Sequence, residues 1–501
     1  MGGVTSELID ALRHDLTVAD FDVDGLDGAW GADAAAALFR SQRAPAARAL
    51  ALRTDALATL GRLFVLGLPV PVDALAAALP SLGVAGATSL QLVRVDGDTA
   101  QPLVDLRPYA FTDDDGAGAW WIASDLGELA LGRAIDEDHV LGVGGASMTL
   151  SGLIVPTAVE RALDLGTGCG IQSLHVARHA GAVIATDISE RALHFARFNA
   201  ELNRVDGMEL RQGDMFAPVA GERFDLVVSN PPFVITPRRE GVPSYEYRDG
   251  GAVGDGIVER MVREVGEYLA PGGTAQLLGN WEYRTGEDGL DRVRSWVADT
   301  DLDVWVIERE VQDASLYAET WIRDGGTLPG SARFDELYAA WLDDFDARGV
   351  RQVGFGYITI RRRGGRAPLR RFERIESPLG AGLGSHLARG LSAWAFLAPR
   401  SDDDLLAAHF AVAGDVTEQR HYWPGDEHPA AITLQQGSGF ARALPAGTAL
   451  AAVVGACDGE LSLGDIIDAV AHLLGVESRA LADEVLPEIR ELTFWGMLDV
   501  R

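Results

Sequence analysis

Asp164-Leu165-Gly166-Thr167-Gly168-Cys169-Gly170 (DLGTGCG) follows a strand-length apolar run, Ala162 to Gly166, and precedes a helix-forming stretch that begins near Ile171. Strand, glycine loop and helix in that order are the opening unit of nucleotide-binding α/β sheets. Glycines at 166, 168 and 170 let the chain turn sharply and let a ligand reach the main chain where a side chain would collide. The spacing is G-x-G-x-G, whereas the dinucleotide fingerprint is G-x-G-x-x-G, built to seat a pyrophosphate on a helix N-terminus. An uncharged ribose with an amino-acid moiety suits this loop better.

Working outward, strand-like runs recur at Ala182–Thr186, Met208–Arg211, Phe224–Ser229, Thr274–Leu278, Asp303–Ile307 and Phe355–Ile360. With the first they make seven. Helical patterns fit between them, among them Glu190–Leu202 and Ile257–Leu269, the latter expected to end at Pro271-Gly272-Gly273. Alternation of this kind predicts a Rossmann-like α/β fold, a parallel sheet covered on both faces. Some forty residues separate the last two strands, too many for a plain loop. The stretch 313–352 is therefore expected to be an insertion that shapes the substrate side.

The ends of these strands carry the polar candidates, as open α/β sheets require. Asp187 closes the second strand in ATDIS, 187 − 168 = 19 residues beyond the central glycine. It can accept from both hydroxyls of an adenosine ribose, with Ile188 beside it, or else cap the helix that starts at Glu190. Asp214 and Met215, in GDMF after the third strand, can bind an adenine amino group and wall the ring, or simply form a turn. Ser229-Asn230-Pro231-Pro232-Phe233 ends the fourth strand. Val140–Leu150, with Gly142, Gly144 and Gly145, is either a lid over the ligand or a turn.

DLGTGCG, ATDIS, GDMF and SNPPF together resemble the class I methyltransferases that use S-adenosylmethionine. Within them the chain looks most like the Asn-Pro-Pro-aromatic group, which includes the HemK-like protein glutamine methyltransferases and the adenine and guanine amino methyltransferases. The resemblance covers residues 138 to 362. It implies a seven-stranded core of the class I type, S-adenosyl-L-methionine bound by Asp164, Gly166, Thr167, Gly168, Gly170, Asp187, Ile188, Asp214, Met215 and Asn230, and catalysis by Asn230, Pro231, Pro232 and Phe233. Amide and aryl-amine nitrogens are weak nucleophiles because the lone pair is delocalised. An asparagine oxygen and the Pro231 carbonyl accepting their two N–H bonds would hold such a nitrogen toward a sulfonium methyl. Prolines stiffen that backbone, and Phe233 can stack on a planar acceptor. Most release-factor enzymes of the group carry Tyr at this position, so Phe233 is a departure, and Phe is also common among nucleic-acid amino methyltransferases.

The remaining sequence bears on partners. In 501 residues there are 43 basic groups, all arginine, against 74 carboxylates, for a net charge of −31. A compositional bias of the coding genome accounts for the missing lysine, but an acidic surface still repels phosphate backbones. A protein substrate is therefore favoured. RNA or DNA is the alternative, through the seven arginines between Arg361 and Arg374, which otherwise serve as a linker pairing with carboxylates. Two cysteines, Cys169 and Cys457, exclude a disulfide framework, and nothing calls for a metal. No apolar window has membrane-span length and the N-terminus lacks a secretion-signal pattern, so a cytoplasmic protein is expected. The oligomeric state is not legible.

At this length about three globular units are expected: residues 1–110, where Asp55–Leu66, Val72–Leu79 and a hairpin of Leu90–Val95 with Pro102–Leu106 suggest a winged-helix-like module with an acidic tip at 113–115; the core, 111–365; and 375–501, a mainly helical module in which Asp458-Gly459-Glu460 reads as a turn.

Overall fold

The computed structural model describes residues 2–113, 116–131, 135–363 and 367–501. Asp114 and Asp115 of the expected acidic tip, and Gly364, Gly365 and Arg366 of the arginine run, lie outside the described residues. The chain divides into two units: one of 1–151, 158–300 and 306–362, the other of 152–157, 301–305 and 363–501.

Valine-, isoleucine- and leucine-rich runs form seven strands: β1 (Val159–Leu165), β2 (Ala180–Asp187), β3 (Met208–Gln212), β4 (Phe224–Ser229), β5 (Leu269–Arg284), β6 (Asp303–Asp313) and β7 (Val350–Arg361), all in the first unit except the first three residues of β6. They lie in the order β3-β2-β1-β4-β5-β7-β6. Pairs β1–β2, β2–β3, β1–β4 and β4–β5 are parallel, and β7 runs antiparallel to β5. The reversal of strand order at β1 and β4 opens a crevice at their C-terminal ends. Near-continuous burial along β4 is what a strand covered on both faces requires. Helices α1 (Ile171–Val176), α2 (Glu190–Leu202), α3 (Gly256–Glu264) and α4 (Gly289–Trp296) provide cover.

Several elements differ from the sequence reading. Pro271-Gly272-Gly273 does not end a helix before the strand. The α-helix stops at Glu264, a 3₁₀ turn covers Val265–Tyr268, and the three residues lie inside β5, where the register to β4 slips between Leu269 and Thr274. A bulge there absorbs the proline. Arg370–Arg374, in the second unit, forms a further strand that the sequence reading does not announce. Within the second unit, Leu369 N–H donates to Asp303 Oδ1 at 2.9 Å. The insertion is two helices, α5 (Ala314–Asp324) and α6 (Ala332–Arg348).

Before β1, helix Ala56–Leu60 continues as one π-turn. Short helices Val72–Ala78 and Gly83–Ser89 follow, and a three-stranded sheet has Thr99–Pro102 between Val70–Pro71 and Val93–Asp96. The hairpin thus pairs Val93–Asp96 with Thr99–Pro102, its first strand starting later and its second lying earlier than expected. The boundary placed at 110 falls inside a second hairpin, Asp105–Asp113 with Gly116–Ser124. Two asparagines one turn apart, Asn199 on α2 and Asn203 at its C-cap, stitch that hairpin to the core. Asn203 exchanges both backbone hydrogen bonds with Trp121, and Asn199 with Ala123, at 2.8–2.9 Å. Asn199 also donates to the Cys169 carbonyl at 2.8 Å, so the glycine loop and hairpin share one anchor. Arg13 donates to the carbonyls of Glu201 and Leu202, closing the last turn of α2, which carries the negative end of the helix dipole.

The second unit holds helices Leu383–Leu397, Asp402–Leu406, Thr448–Gly455, Leu463–Leu474 and Ser478–Phe494. It also has two three-stranded sheets that the sequence reading does not announce. Asp458–Ser462 is a strand of one of them rather than a turn. In this unit Glu373 accepts from Trp305 Nε1 at 2.7 Å, Arg371 Nε at 3.0 Å and an Arg442 guanidinium nitrogen at 2.6 Å.

Candidate active site

Residues at or just beyond the C-terminal ends of β1 to β4 line a cleft of about 390 Å³ in the first unit. After β1, the loop turns with Gly166, Gly168 and Gly170 at φ +74°, +55° and +88°, a region that side-chain-bearing residues rarely enter. A Cβ built on Gly166 or Gly168 meets no protein atom within 4 Å, so these two leave open cleft against bare backbone. Gly170 differs, since its Cβ would stand 3.0 Å from Ala196 Cα. It allows α1 to pack on α2 and does not line the cleft.

Asp164 does not line it either. The carboxylate is wholly buried beneath the loop, where Oδ2 accepts from Thr167 Oγ1 and Ser173 Oγ at 2.6 Å each. Oδ1 has no partner. Burial pushes the acid up to about 6 against these hydrogen bonds. Its place is to hold the loop, and the expectation of direct cofactor contact is corrected accordingly. Cys169, 2% exposed with its thiol pushed up to about 11 by burial, is unreactive.

Asp187 ends β2 facing the cleft. One oxygen accepts from Gly168 N–H and the other from Ser189 N–H, both at 2.9 Å. Ser189, not Asp187, caps α2. Burial raises the Asp187 carboxyl above its ordinary range in spite of those amides. Ile188, Asp214 and Met215 also line the cleft. Asp214 is held by Arg260 at 3.2 Å, and Met215 takes a left-handed φ of +48°. Thr186 Oγ1, in a residue only 1% exposed, lines the same wall without a hydrogen-bond partner.

At the end of β4, Ser229 Oγ donates to the Leu165 carbonyl at 2.6 Å, fixing this strand end to the glycine loop. Asn230, Pro231 and Pro232 line the cleft, and Asn230 Oδ1 is buried with no partner. Phe233 does not follow them. It is 7% exposed, with its ring 5.6 Å from that of Phe355, and it packs the floor. The apolar ring finds a partner in β7, so the expected aromatic wall is supplied by others.

Those others are Tyr245 and Tyr247, which line the cleft with Glu246, Gly250 and Gly251. The segment is tied to the exit of the Asn-Pro-Pro turn. Val234 N–H donates to the Arg248 carbonyl at 2.7 Å, while Asp249 accepts from Thr236 Oγ1 and Tyr245 N–H at 2.6 Å each. Arg248, with 6% of its side chain exposed, pairs with Asp324 at 2.9 Å and stacks over Tyr245 at 4.5 Å. The insertion closes the rear. Tyr317 Oη accepts from Ile235 N–H at 3.0 Å and from Asn280 Nδ2 at 2.6 Å, and burial raises its phenol. Tyr317 and Trp321 brace the site without lining it. Val140, Leu141, Gly142 and Ser147, from the glycine-rich segment, do line it. Gln172 and His139 are lining residues the sequence did not single out. Gln172 donates to Ser147 O at 2.7 Å, and His139 stands edge-on to Tyr247 at 5.9 Å, its imidazole pushed below its ordinary range by burial. A polar Gln at a buried position in the first turn after the glycine loop was the available signal.

The cleft fits S-adenosylmethionine on this chain's own features: a glycine floor open to a ligand, a carboxylate at the β2 end, an apolar wall at Met215, and two buried unpartnered oxygens, Thr186 Oγ1 and Asn230 Oδ1.

Comparison with known proteins finds similarities over these features. Residues 144–292 match the methyltransferase small domain, and residues 18–103 and 388–500 match two families described as domains of unknown function. The chain is 37% identical over 153 residues to a ribosomal protein uL3 glutamine methyltransferase of Bradyrhizobium diazoefficiens, covering 28% of this chain and 46% of that protein. It is 35% identical over 119 residues to a putative protein N5-glutamine methyltransferase of Methanocaldococcus jannaschii, covering 23% and 59%. Against a release factor glutamine methyltransferase of Xylella fastidiosa it is 35% identical over 131 residues, covering 25% and 48%. The chain spans about half the length of the curated relatives it matches. Strands β1 to β5, the glycine loop and the Asn-Pro-Pro turn thus fall, in their order, within the stretch 144–292 that matches the methyltransferase small domain and is similar to these glutamine methyltransferases.

Proposed function

We propose that the protein is an S-adenosylmethionine-dependent N-methyltransferase whose acceptor is the side-chain amide of a protein glutamine. The observation that carries this reading is Asn230 Oδ1, a buried oxygen without a partner at the mouth of a glycine-floored cleft. An unpaired buried acceptor costs about 1–3 kcal/mol, and a ligand N–H relieves it.

S-adenosylmethionine, when bound, supplies an electrophilic methyl on a sulfonium. The chain's own residues would do the rest by position. Gly166 and Gly168 leave backbone open to the ligand, Asp187 accepts from ribose hydroxyls, Met215 walls the base, and Asp214 takes the exocyclic amine. Asn230 Oδ1 and the Pro231 carbonyl accept the two N–H bonds of a carboxamide, which turns its lone pair into the cleft and resists rotation back into conjugation. Tyr245 and Tyr247 confine the flat amide. Such positioning is worth several kcal/mol without a strong base, and the acceptor nitrogen can release its proton after methylation.

Support for a protein over a nucleic acid comes from charge. Among the described residues, no arginine lines the cleft. In the basic run, Arg363 pairs with Asp301, Arg371 with Glu373 and Glu491, and Arg362 donates to the Leu269 carbonyl.

Lysate incubated with methyl-labelled cofactor, then split between protease and nuclease, tests the class of acceptor. Label released by protease as N-methylglutamine is expected, and label released only by nuclease would sink the amide reading. Asn230→Ala should cut turnover by about 10²-fold or more while cofactor affinity stays within about threefold, consistent with loss of one preorganised acceptor. Unchanged turnover removes Asn230 from the chemistry.

A further inference from the structure

Among the described residues, those lining the cleft include four carboxylates, Asp138, Asp187, Asp214 and Glu246, one histidine and no arginine. Asp187 and Asp214 close strands β2 and β3 at the nucleotide end. The other two sit elsewhere. Glu246 N–H donates to the Glu137 carbonyl at 2.9 Å, so the segment carrying Glu137 and Asp138 runs beside the one carrying Tyr245 and Tyr247. That second segment is joined to the exit of the Asn-Pro-Pro turn through Val234 and Arg248. The two form one lip on the acceptor side.

Glu137, Asp138 and Glu246 are exposed, and among the described residues no arginine lies within ion-pair distance of any of them. This contrasts with Asp214, paired with Arg260, and with Asp125, paired with Arg191. Arg191 acts on Asp138 through the field but makes its ion pair with Asp125, so among the described residues the three exposed carboxylates of the lip still leave a local negative field. Carboxylates placed around a cleft mouth favour cations on approach and disfavour anions.

We propose that this lip selects the acceptor by charge, with Asp138 and Glu246 as specificity-determining residues for a glutamine flanked by arginine or lysine. The inference rests on the amide reading above and goes beyond it, because nothing in amide methylation itself requires a charged neighbour. A basic flank brings its guanidinium or ammonium against the lip while the glutamine enters between Tyr245, Tyr247 and Asn230. An acidic flank meets like charge. The preference acts through encounter and ground-state binding, so it belongs in KM and weakens with salt as the screening length falls from about 10 Å at 0.1 M toward 3 Å at 1 M.

The test uses the full chain and three synthetic peptides with one central glutamine, flanked on both sides by arginine, by serine or by glutamate. With labelled S-adenosylmethionine at low salt, kcat/KM is expected to favour the arginine-flanked over the serine-flanked peptide by about tenfold and to disfavour the glutamate-flanked one by a similar factor. The difference should sit mainly in KM and shrink below about threefold at 1 M salt. Asp138→Asn with Glu246→Gln should collapse the preference to about twofold with calorimetric cofactor affinity unchanged, and Glu246→Arg should move it toward the glutamate-flanked peptide. Equal kcat/KM on the three peptides, or a preference untouched in the double variant, overturns the charge-selection proposal and leaves amide methylation standing. Failure to methylate any of the three by a cofactor-bound protein overturns the amide reading, and the proposal falls with it.

Discussion

Gly168 sets backbone strain and ligand access against each other. Its φ of +55° strains any side chain, yet a Cβ there would enter open space. Gly168→Ala should therefore cost the fold only about 1 kcal/mol, a fall of a few degrees in Tm. It should reduce cofactor affinity at least tenfold, because the methyl occupies the cleft. Calorimetric titration beside thermal unfolding separates the two, and an alanine variant that binds normally removes the loop from the cofactor site. Asp164 carries a different signature. Its native acid lies near 6 against 3.8 in the unfolded chain, so the native state holds the proton more tightly. Its contribution to stability is fully present below about pH 4 and is lost as pH rises through 6, by roughly 1–3 kcal/mol. Asp164→Asn keeps an oxygen for Thr167 and Ser173 but cannot ionise. The stability of that variant relative to the native chain should rise by this amount between pH 4 and 6.5 in denaturant titrations. A flat difference would show that burial does not perturb this carboxyl.

Among the elements, the insertion α5–α6 acts through Tyr317, whose hydroxyl joins Ile235, just beyond the Asn-Pro-Pro turn, to Asn280 on β5. Tyr317→Phe leaves a buried N–H and a buried amide without that partner, a loss of about 2–4 kcal/mol in urea unfolding. It should lower kcat with cofactor affinity nearly unchanged, since the glycine loop and Asp187 stand apart from it. Equal losses in kcat and cofactor affinity would argue for general softening instead. The role of this insertion was visible in the sequence only as a gap of unusual length. Strands β1 to β4 were legible because buried parallel strands read as unbroken apolar runs, and strand ends followed by glycine or proline marked the crevice. What escaped has physical causes. Pro271-Gly272-Gly273 looks like a stop signal until a bulge takes it into β5. Arg370–Arg374 shows no apolar alternation because an edge strand tolerates charge on both faces. Phe233 is recognisable as part of a motif, but whether an aromatic faces a cleft or a floor depends on Phe355, some 120 positions away. Asp164, adjacent to the loop glycines, carries no local sign that its carboxylate points beneath them.

For the molecule as a whole, the cleft and every residue proposed for it belong to the first unit, while residues 363–501 build the greater part of the second. Ligand binding stabilises only the structure that forms the site, by RT ln(1 + [L]/Kd), about 2.7 kcal/mol at one hundred times Kd. S-adenosylmethionine at that concentration should raise the calorimetric transition of the first unit by several degrees and leave the heat absorbed by the second where it is. Asp187→Ala should abolish most of the shift. It removes the ribose acceptor and also frees the Gly168 and Ser189 amides that the carboxylate holds, so its own transition should fall slightly even without ligand. Because the link is mass action and not surface charge, the shift at fixed saturation should persist in high salt, unlike the peptide preference expected at the acidic lip. A displacement shared equally by both transitions would mean that folding of the second unit is linked to the cleft. The absence of any displacement, with the native protein and ligand in excess, would remove the cofactor from the cleft altogether.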